Sequence, residues 1–174
     1  MRPYNQGELD GLCGVYSLIN ATRLISKRMS FADWQLIFLK ILKLQLKQRK
    51  SANFLVYGIN EVKIAKLLRQ IFKPQFGISY SRPFRRRKQL ELSDFWAKLE
   101  TFLHNSNNRC VIICYSTESF SHWSVVQAIS ANRLVLLDSS HKKYINRNAC
   151  STEEIGDGKA FLLEFSATFF LEGK

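Results

Sequence analysis

Up to about residue 103, apolar side chains recur every three or four positions, which is the spacing of amphipathic helices. The sequence predicts four helices, at 13–25, 31–50, 60–72 and 93–103. Ser30 and Asn60 are typical helix caps, and Asp33 stands in a first turn, where a negative charge is favourable. Lysines and arginines cover one face of the 34–50 segment. We interpret this face as solvated, with contact to a membrane surface or to nucleic acid as the alternative.

From residue 110 the apolar pattern changes to that of β-strands. Strands are predicted at 110–115, 123–129, 134–137, 160–165 and 169–171. The first is a continuous apolar run, which is typical of a central strand covered on both faces. Ala131-Asn132 predicts a tight hairpin turn. Helices followed by strands are typical of an α+β domain, and 174 residues without a linker or repeat suit a single domain over 1–174.

Composition argues against several classes of protein. Apolar residues make up 46% of the chain and thirteen residues are phenylalanine, so disorder is not expected. No apolar run is long enough to span a membrane, and residues 1–6 lack the apolar core of a signal peptide, so we expect a cytoplasmic protein with reduced cysteines. Cys110 and Cys114 share one face of a predicted strand without a nearby histidine pair. We interpret them as core residues and expect no metal and no cofactor.

The net charge of +12 is large for a chain of this size and implies an acidic partner. Nucleic acid, an anionic membrane surface and an acidic protein all carry the negative charge that such a partner requires. Arg85, Arg86 and Arg87 stand in the densest run of positive charge and are candidates for substrate or partner binding. Such runs are commonly exposed loops, but the nearby Tyr80 and Phe84 keep contact with nucleic acid or an acidic peptide open.

Cys13 is the candidate nucleophile. It follows a glycine-punctuated loop and stands in the first turn of the first predicted helix, where free backbone amides and the helix dipole stabilise a thiolate. The alternative is that Cys13 is a small apolar filler, as many buried cysteines are. A catalytic role therefore depends on a base, a group that orients the base, and donors for an oxyanion.

His122 is the candidate base among three histidines, because it stands at the mouth of a predicted strand that would hold it toward a cleft. Asp138 closes the next predicted strand. If the two strands pair around Ala131-Asn132, both residues fall at the same end of the hairpin. The carboxylate can then accept a hydrogen bond from the imidazole and fix its tautomer. The alternative is an aspartate that merely ends a strand.

Gln6 is the candidate oxyanion donor, acting together with the backbone N–H of Cys13. The glycines at positions 7 and 11 allow the intervening loop to bring its side-chain amide close. Asp10 complicates this interpretation, because as a helix cap its carboxylate would compete for the Cys13 N–H.

Together these residues resemble the papain-like cysteine proteases, in which a glutamine precedes a cysteine that opens the central helix, a histidine heads a strand, and an aspartate or asparagine ends the next. The residues that match in order, context and approximate spacing are Gln6, Cys13, His122 and Asp138. The segments 10–21 and 122–126 look most like the compact bacterial members, including the C39-like peptidases. Asp-Gly-x-Cys is similar to the ovarian-tumour deubiquitinases, and His-Trp with a later Asp-Ser is similar to the ubiquitin-like proteases and Josephin-type enzymes.

The resemblance implies a papain-like fold, in which an N-terminal helical part containing the nucleophile helix packs on a C-terminal antiparallel sheet. It also implies a Cys-His-Asp triad, and it makes Trp123 a candidate for substrate binding. The interval from Gln6 to Cys13 is slightly longer than in the usual papain arrangement, so Asn5 is a competing oxyanion donor. Residues 31–103 carry the excess positive charge and match no family, and substrate choice is expected to depend on them.

The leading hypothesis is a thiol hydrolase that cleaves a peptide or isopeptide bond, with an acidic protein or peptide as substrate, through an acyl-enzyme. The same triad would serve acyl transfer, as in a transglutaminase, a deamidase or an acetyltransferase, and the residues near the thiol do not separate these reactions. A third hypothesis is a basic module without activity that binds nucleic acid or a partner protein. A steep loss of nucleic-acid binding with added salt would support that module, as would function that survives Cys13→Ala.

Overall fold

The computed structural model describes residues 1–26, 29–47 and 53–174. The described helices are α1 (Cys13–Ile25), α2 (Phe31–Leu46), α3 (Asn53–Tyr57), α4 (Glu61–Leu67), α5 (Lys73–Phe76) and α6 (Leu92–His104). The described strands are β1 (Ser79–Ser81), β2 (Arg109–Ser116), β3 (Ser121–Ser130), β4 (Arg133–Leu136), β5 (Tyr144–Asn146), β6 (Cys150–Ser151), β7 (Phe161–Leu163) and β8 (Phe169–Glu172). Within these ranges, no helix combines the length and the apolarity needed to cross a membrane.

The strands form one twisted sheet in the order β1-β8-β2-β3-β4-β5, and neighbouring strands on this path are antiparallel. β7 pairs with the last residues of β2, beyond the end of β8, and β6 runs parallel to β7. Five of the six helices precede β1, and α6 lies between β1 and β2. The expected α+β class is therefore confirmed.

β2 is the centre of the sheet and is buried on both faces. Its even-numbered positions 110–114 belong to an apolar cluster that includes α1, α2 and α4, and its odd-numbered positions 111–115 belong to a second cluster that includes α6. Alternate side chains of a strand point to opposite faces, so helices on both sides require an unbroken apolar run. The prediction of a central strand at 110–115 is confirmed, and α1 packs along β2 and β3.

The start of α2 agrees with the sequence prediction. Asp33 N–H donates to the Ser30 hydroxyl at 3.2 Å, and the Asp33 carboxylate accepts from the Ser30 N–H at 3.0 Å, which forms a capping box. The helix ends at Leu46, short of the predicted end at residue 50, and residues 48–50 lie outside the described ranges.

Other boundaries differ where local geometry interrupts the pattern. The helix predicted at 60–72 is α4 followed by a π-helical turn over Leu68–Phe72. The strand predicted at 160–165 shortens to β7, because a 3₁₀ turn follows at Phe165–Ala167. The elements α3, β1, β5 and β6 have five residues or fewer, too few for an apolar period to identify them.

Candidate active site

Cys13 is the first residue of α1 and is 8% exposed. Leu12 occupies the N-cap position and provides no side-chain cap. Asp10 instead organises the preceding loop, because its carboxylate accepts from the Gly7 N–H at 2.7 Å and from the Leu12 N–H at 3.0 Å. The expectation that Asp10 caps the helix and competes for the Cys13 N–H is therefore wrong.

The segment 55–59 lies directly against the loop that precedes Cys13. The Gly11 N–H donates to the Leu55 carbonyl at 2.7 Å. The indole N–H of Trp123, beside His122 on β3, donates to the carbonyl of Ile59 at 2.9 Å. These two bonds connect the loop before Cys13, the 55–59 segment and β3, so they fix one wall of the site.

Glycine is required where the two backbones meet. A Cβ at Gly11 would overlap the carbonyl of Val56, and a Cβ at Gly58 would lie 2.5 Å from the Gly11 oxygen. Gly58 also has φ of +75°, a left-handed conformation that glycine adopts without strain. The glycines near Cys13 therefore allow a close backbone approach as well as a turn.

His122 and Asp138 form a buried pair. The His122 Nε2 and the Asp138 Oδ2 are 2.9 Å apart, and the two residues are 5% and 2% exposed. The other carboxylate oxygen of Asp138 accepts from the Ser140 N–H at 2.7 Å and from the Lys142 N–H at 3.3 Å. Because Nε2 is taken by Asp138, Nδ1 is the ring nitrogen that can exchange a proton with Cys13.

The pair is charged at neutral pH. Burial lowers the pKa of His122, but the hydrogen bond to Asp138, together with the Cys13 side chain in the same cleft, outweighs burial and raises this pKa to about 9. Burial raises the pKa of Asp138, but its hydrogen bond to His122 and the imidazolium charge outweigh burial and lower this pKa below its ordinary value. The positive charge of the imidazolium therefore lies in the cleft that Cys13 lines.

A β-bulge helps to bring the two residues together. Ser130 pairs with Arg133 across the predicted two-residue turn, and the register then shifts between Val126 and Ala128. Beyond the shift, the N–H of Leu137 donates to the Val125 carbonyl at 2.8 Å. Asp138 therefore falls diagonally across from His122, one step nearer than an unbulged hairpin would allow, and diagonal neighbours are within reach of long side chains.

Gln6 lies in the same cleft as Cys13 and His122. Its backbone N–H donates to the Ser139 carbonyl at 3.2 Å, and its side-chain oxygen accepts from the Ser139 hydroxyl at 3.2 Å. Its side-chain nitrogen is 3.5 Å from the Asp10 carbonyl, a long bond that a substrate oxygen can replace. Because Ser139 follows Asp138, one loop positions both side chains.

Asn5 does not share this cleft. It lines a separate groove of about 360 Å³ together with Tyr16 and Phe38, on the side of α1 that faces α2. The expectation that Asn5 competes with Gln6 as an oxyanion donor is therefore wrong, because Asn5 and Gln6 line different cavities.

The cleft around Cys13 has a volume of about 750 Å³ and an apolar rim. Val56, Tyr57 and Phe120 line it and are more than half exposed. Its charged lining, apart from His122, consists of Glu61, Glu164 and Lys142. The excess positive charge of the chain therefore lies outside the cleft.

Cys114 is a cleft residue that sequence reasoning missed. The interpretation of Cys110 and Cys114 as core residues is confirmed, since both are buried in the cluster that includes α1; Cys110 is fully buried, with its Sγ 3.8 Å from the Ala21 carbonyl. Cys114 is 8% exposed and lines the cleft with Cys13. Alternate residues of a strand share a face, so the sequence places both cysteines on one face of β2. It does not indicate at which residue of β2 the packed helix α1 ends.

The remaining candidates lie elsewhere or have another role. Arg85, Arg86 and Arg87 are exposed in and after the turn at 83–86 and do not line the cleft. Trp123 lines the cleft but is 7% exposed, and its N–H is used by Ile59, so its role in the fold is to hold the 55–59 segment. Within the described ranges, no group of three or more His, Cys, Asp or Glu side chains is arranged to hold a metal ion.

Comparisons with family models, with curated proteins and with solved structures find no match. The chain's own geometry is therefore what indicates a function. It places a thiol at a helix N-terminus, a buried imidazole–carboxylate pair beside that thiol, and a side-chain amide in the same cleft.

Proposed function

We propose that the protein is a papain-like cysteine hydrolase that cleaves a peptide or isopeptide bond. The observation that carries this proposal is the 2.9 Å contact between His122 and Asp138, with His122 lining the same cleft as Cys13 at the start of α1. The alternative interpretation of Cys13 as a filler does not account for the buried, charged pair beside it. Removing two charges from water costs free energy, and buried ionisable groups with shifted pKa values cluster at functional sites.

In this proposal the Cys13 thiolate attacks the carbonyl carbon of the scissile bond. The oxygen gains negative charge and accepts hydrogen bonds from the Cys13 backbone N–H and the Gln6 side-chain amide. His122 gives its proton to the leaving amine, which departs and leaves a thioester on Cys13. Water that loses a proton to His122 then attacks the thioester and releases the acid, while Asp138 keeps the ring oriented.

The exposed arginines at 85–87 lie outside the cleft lining, so we propose that they contact an acidic region of the substrate away from the scissile bond. Replacing the three by glutamine would raise the KM for an acidic substrate protein at low ionic strength. The difference from the wild type would shrink as salt is added, because exposed charges are screened. A KM that responds equally to salt in both proteins would contradict this role.

The first experiment is selective alkylation, which needs no substrate. The wild type, His122→Ala and the control His104→Ala are treated with limiting iodoacetamide near neutral pH, and mass spectrometry quantifies each cysteine. His104 is an exposed residue at the end of α6. We expect Cys13 to react first, His122→Ala to slow it, and His104→Ala to leave it unchanged, because the imidazolium of His122 stabilises the thiolate.

The opposite result is equally informative. If Cys13 reacts no faster than the buried Cys150 and His122→Ala changes nothing, the proposed hydrolase is wrong. If Cys13 is selectively reactive, a screen of peptide and ubiquitin-like substrates follows, and the mass of the product separates hydrolysis from acyl transfer.

A further inference from the structure

Two thiols, and not one, face the candidate active site. Cys13 and Cys114 line the same cleft and have equal exposure of 8%. The other two cysteines are fully buried away from it: the Sγ of Cys110 approaches the Ala21 carbonyl, and the Sγ of Cys150 is 3.2 Å from the Asn146 carbonyl.

The packing of α1 on β2 brings Cys13 and Cys114 to the same level. Ala21 of α1 lies beside Cys110 of β2, as their 3.8 Å contact shows. From Ala21 to Cys13 the helix advances eight residues, or about 12 Å. From Cys110 to Cys114 the strand advances four residues, or about 13 Å. Because both cysteines line the cleft, they lie at the same end of the contact between helix and strand.

The surroundings give the two sulfurs different chemistry. Burial raises the pKa of Cys114 to about 12, and the charges of Glu164 and Cys13 raise it in the same direction. Cys114 is therefore a thiol at neutral pH and does not compete with Cys13 as a nucleophile.

We propose that Cys114 is a resolving cysteine, which forms a reversible disulfide with Cys13 after a peroxide has oxidised Cys13 to the sulfenic acid. This inference rests on the proposed function, since it takes Cys13 as the reactive thiol. In the first step the Cys13 thiolate attacks one peroxide oxygen, the O–O bond breaks, and hydroxide leaves. In the second step the Cys114 sulfur attacks the Cys13 sulfur, the S–O bond breaks, and the hydroxyl leaves with the Cys114 proton as water.

The two steps balance: two thiols lose two electrons and two protons in total, and one peroxide becomes two molecules of water. The disulfide removes the nucleophile and so halts hydrolysis until a dithiol reductant restores both thiols. Without a partner thiol, further peroxide converts the sulfenic acid to the sulfinic acid, which dithiols do not reduce. Cys114 therefore protects the nucleophile from irreversible oxidation.

The test oxidises the folded protein with hydrogen peroxide in excess of two molar equivalents, the amount that sulfinic acid formation consumes. The wild type is expected to lose two hydrogens in mass, to yield a peptide pair linking Cys13 and Cys114, and to recover Cys13 alkylation after dithiothreitol. Cys114→Ser is expected to gain two oxygens on Cys13 and not to recover. Cys150→Ser, which removes a thiol outside the cleft, is the matched control and should behave as the wild type does.

The mapping of disulfide-linked peptides in the wild type requires no variant, so the test stands even if Cys114→Ser folds poorly. Sulfinic acid on Cys13 of the wild type, with no linked peptide, would overturn the inference. If Cys13 is nevertheless alkylated selectively in a His122-dependent manner, the resolving role fails while the proposed hydrolase stands. A disulfide that instead joins Cys13 to Cys110 or Cys150 would also overturn it.

Discussion

His122 on β3 and Asp138 just after β4 meet at 2.9 Å, and the carboxylate is held in turn by two backbone N–H groups of the following loop. The orientation of the imidazole is therefore set by the hairpin and the loop together, before any substrate binds. Preorganisation of this kind lowers the reorganisation that a reaction requires.

Asp138→Asn is expected to slow alkylation of Cys13 by iodoacetamide, because an amide does not stabilise the imidazolium as a carboxylate does. For hydrolysis of a substrate we expect a loss in kcat of about 10²- to 10⁴-fold. The pKa of His122, followed by NMR, should fall from its raised value. Asp157→Asn, at an exposed loop position, is the control. An unchanged His122 pKa in Asp138→Asn would contradict the assignment.

The stability of the fold should depend on pH through the same pair. The pKa of His122 is raised from 6.5 to about 9 in the folded protein, so the folded state binds the proton more tightly than the unfolded state. This contribution is full below pH about 6.5 and disappears as the pH rises through about 9, with a loss of up to about 3 kcal/mol. Denaturant unfolding of the wild type and of His122→Gln measures it, and the difference in unfolding free energy between them should shrink over that range.

Asp138 acts at the other end of the pH scale. Its pKa is lowered in the folded protein, so its contribution is full above the ordinary aspartate pKa and is lost as the pH falls through the lowered value. Acid unfolding of the wild type should therefore begin below that ordinary pKa. A stability difference between the wild type and His122→Gln that is constant from acid to alkaline pH would contradict both assignments.

Much of this arrangement follows from local sequence pattern. The capping box at Ser30, the central strand at 110–115 and the turn at Ala131-Asn132 each depend on residues close in sequence, and the structure confirms them. The hairpin pattern places His122 and Asp138 at the same end, and the bulge near Val126 then brings them within reach of each other. Local patterns also indicated a helix starting near Cys13.

Long-range contacts could not be predicted in this way. The 55–59 segment reaches Gly11 through backbone contacts that carry no apolar period. The bulge near Val126 depends on a single additional residue, and β1 pairs with β8 across some 90 positions of sequence. Cys114 belongs to the cleft only because α1 ends beside it, which is a property of helix–sheet packing and not of the strand itself.

Gly58→Ala should disrupt the wall of the site as well as the fold. The new Cβ would meet the Gly11 carbonyl in the loop before Cys13. An alanine in the left-handed conformation by itself lowers the free energy of unfolding by about 1–2 kcal/mol. Gly158→Ala is a matched control, because Gly158 has φ of +79° and no atom within 4 Å of a Cβ. We expect Gly58→Ala to be the more destabilising in denaturant unfolding and the only one to alter Cys13 alkylation. Equal effects would show that the Gly11 contact is unimportant.

Trp123→Phe tests whether the bond to Ile59 positions the site or only stabilises the fold. It leaves the Ile59 carbonyl buried without its donor, which costs about 1–3 kcal/mol. Trp96→Phe removes a bond of the same length, from the indole N–H to the Ser130 carbonyl at 2.9 Å, in the cluster that includes α6. Both variants should unfold at lower denaturant concentration, and Trp96→Phe should be the less destabilised because Ser130 is exposed and water can replace the lost donor. Only Trp123→Phe should change the rate of Cys13 alkylation, because only the Trp123–Ile59 bond joins β3 to the wall of the cleft beside Cys13. Equal alkylation rates in Trp123→Phe and Trp96→Phe would show that the bond stabilises the fold without positioning the site.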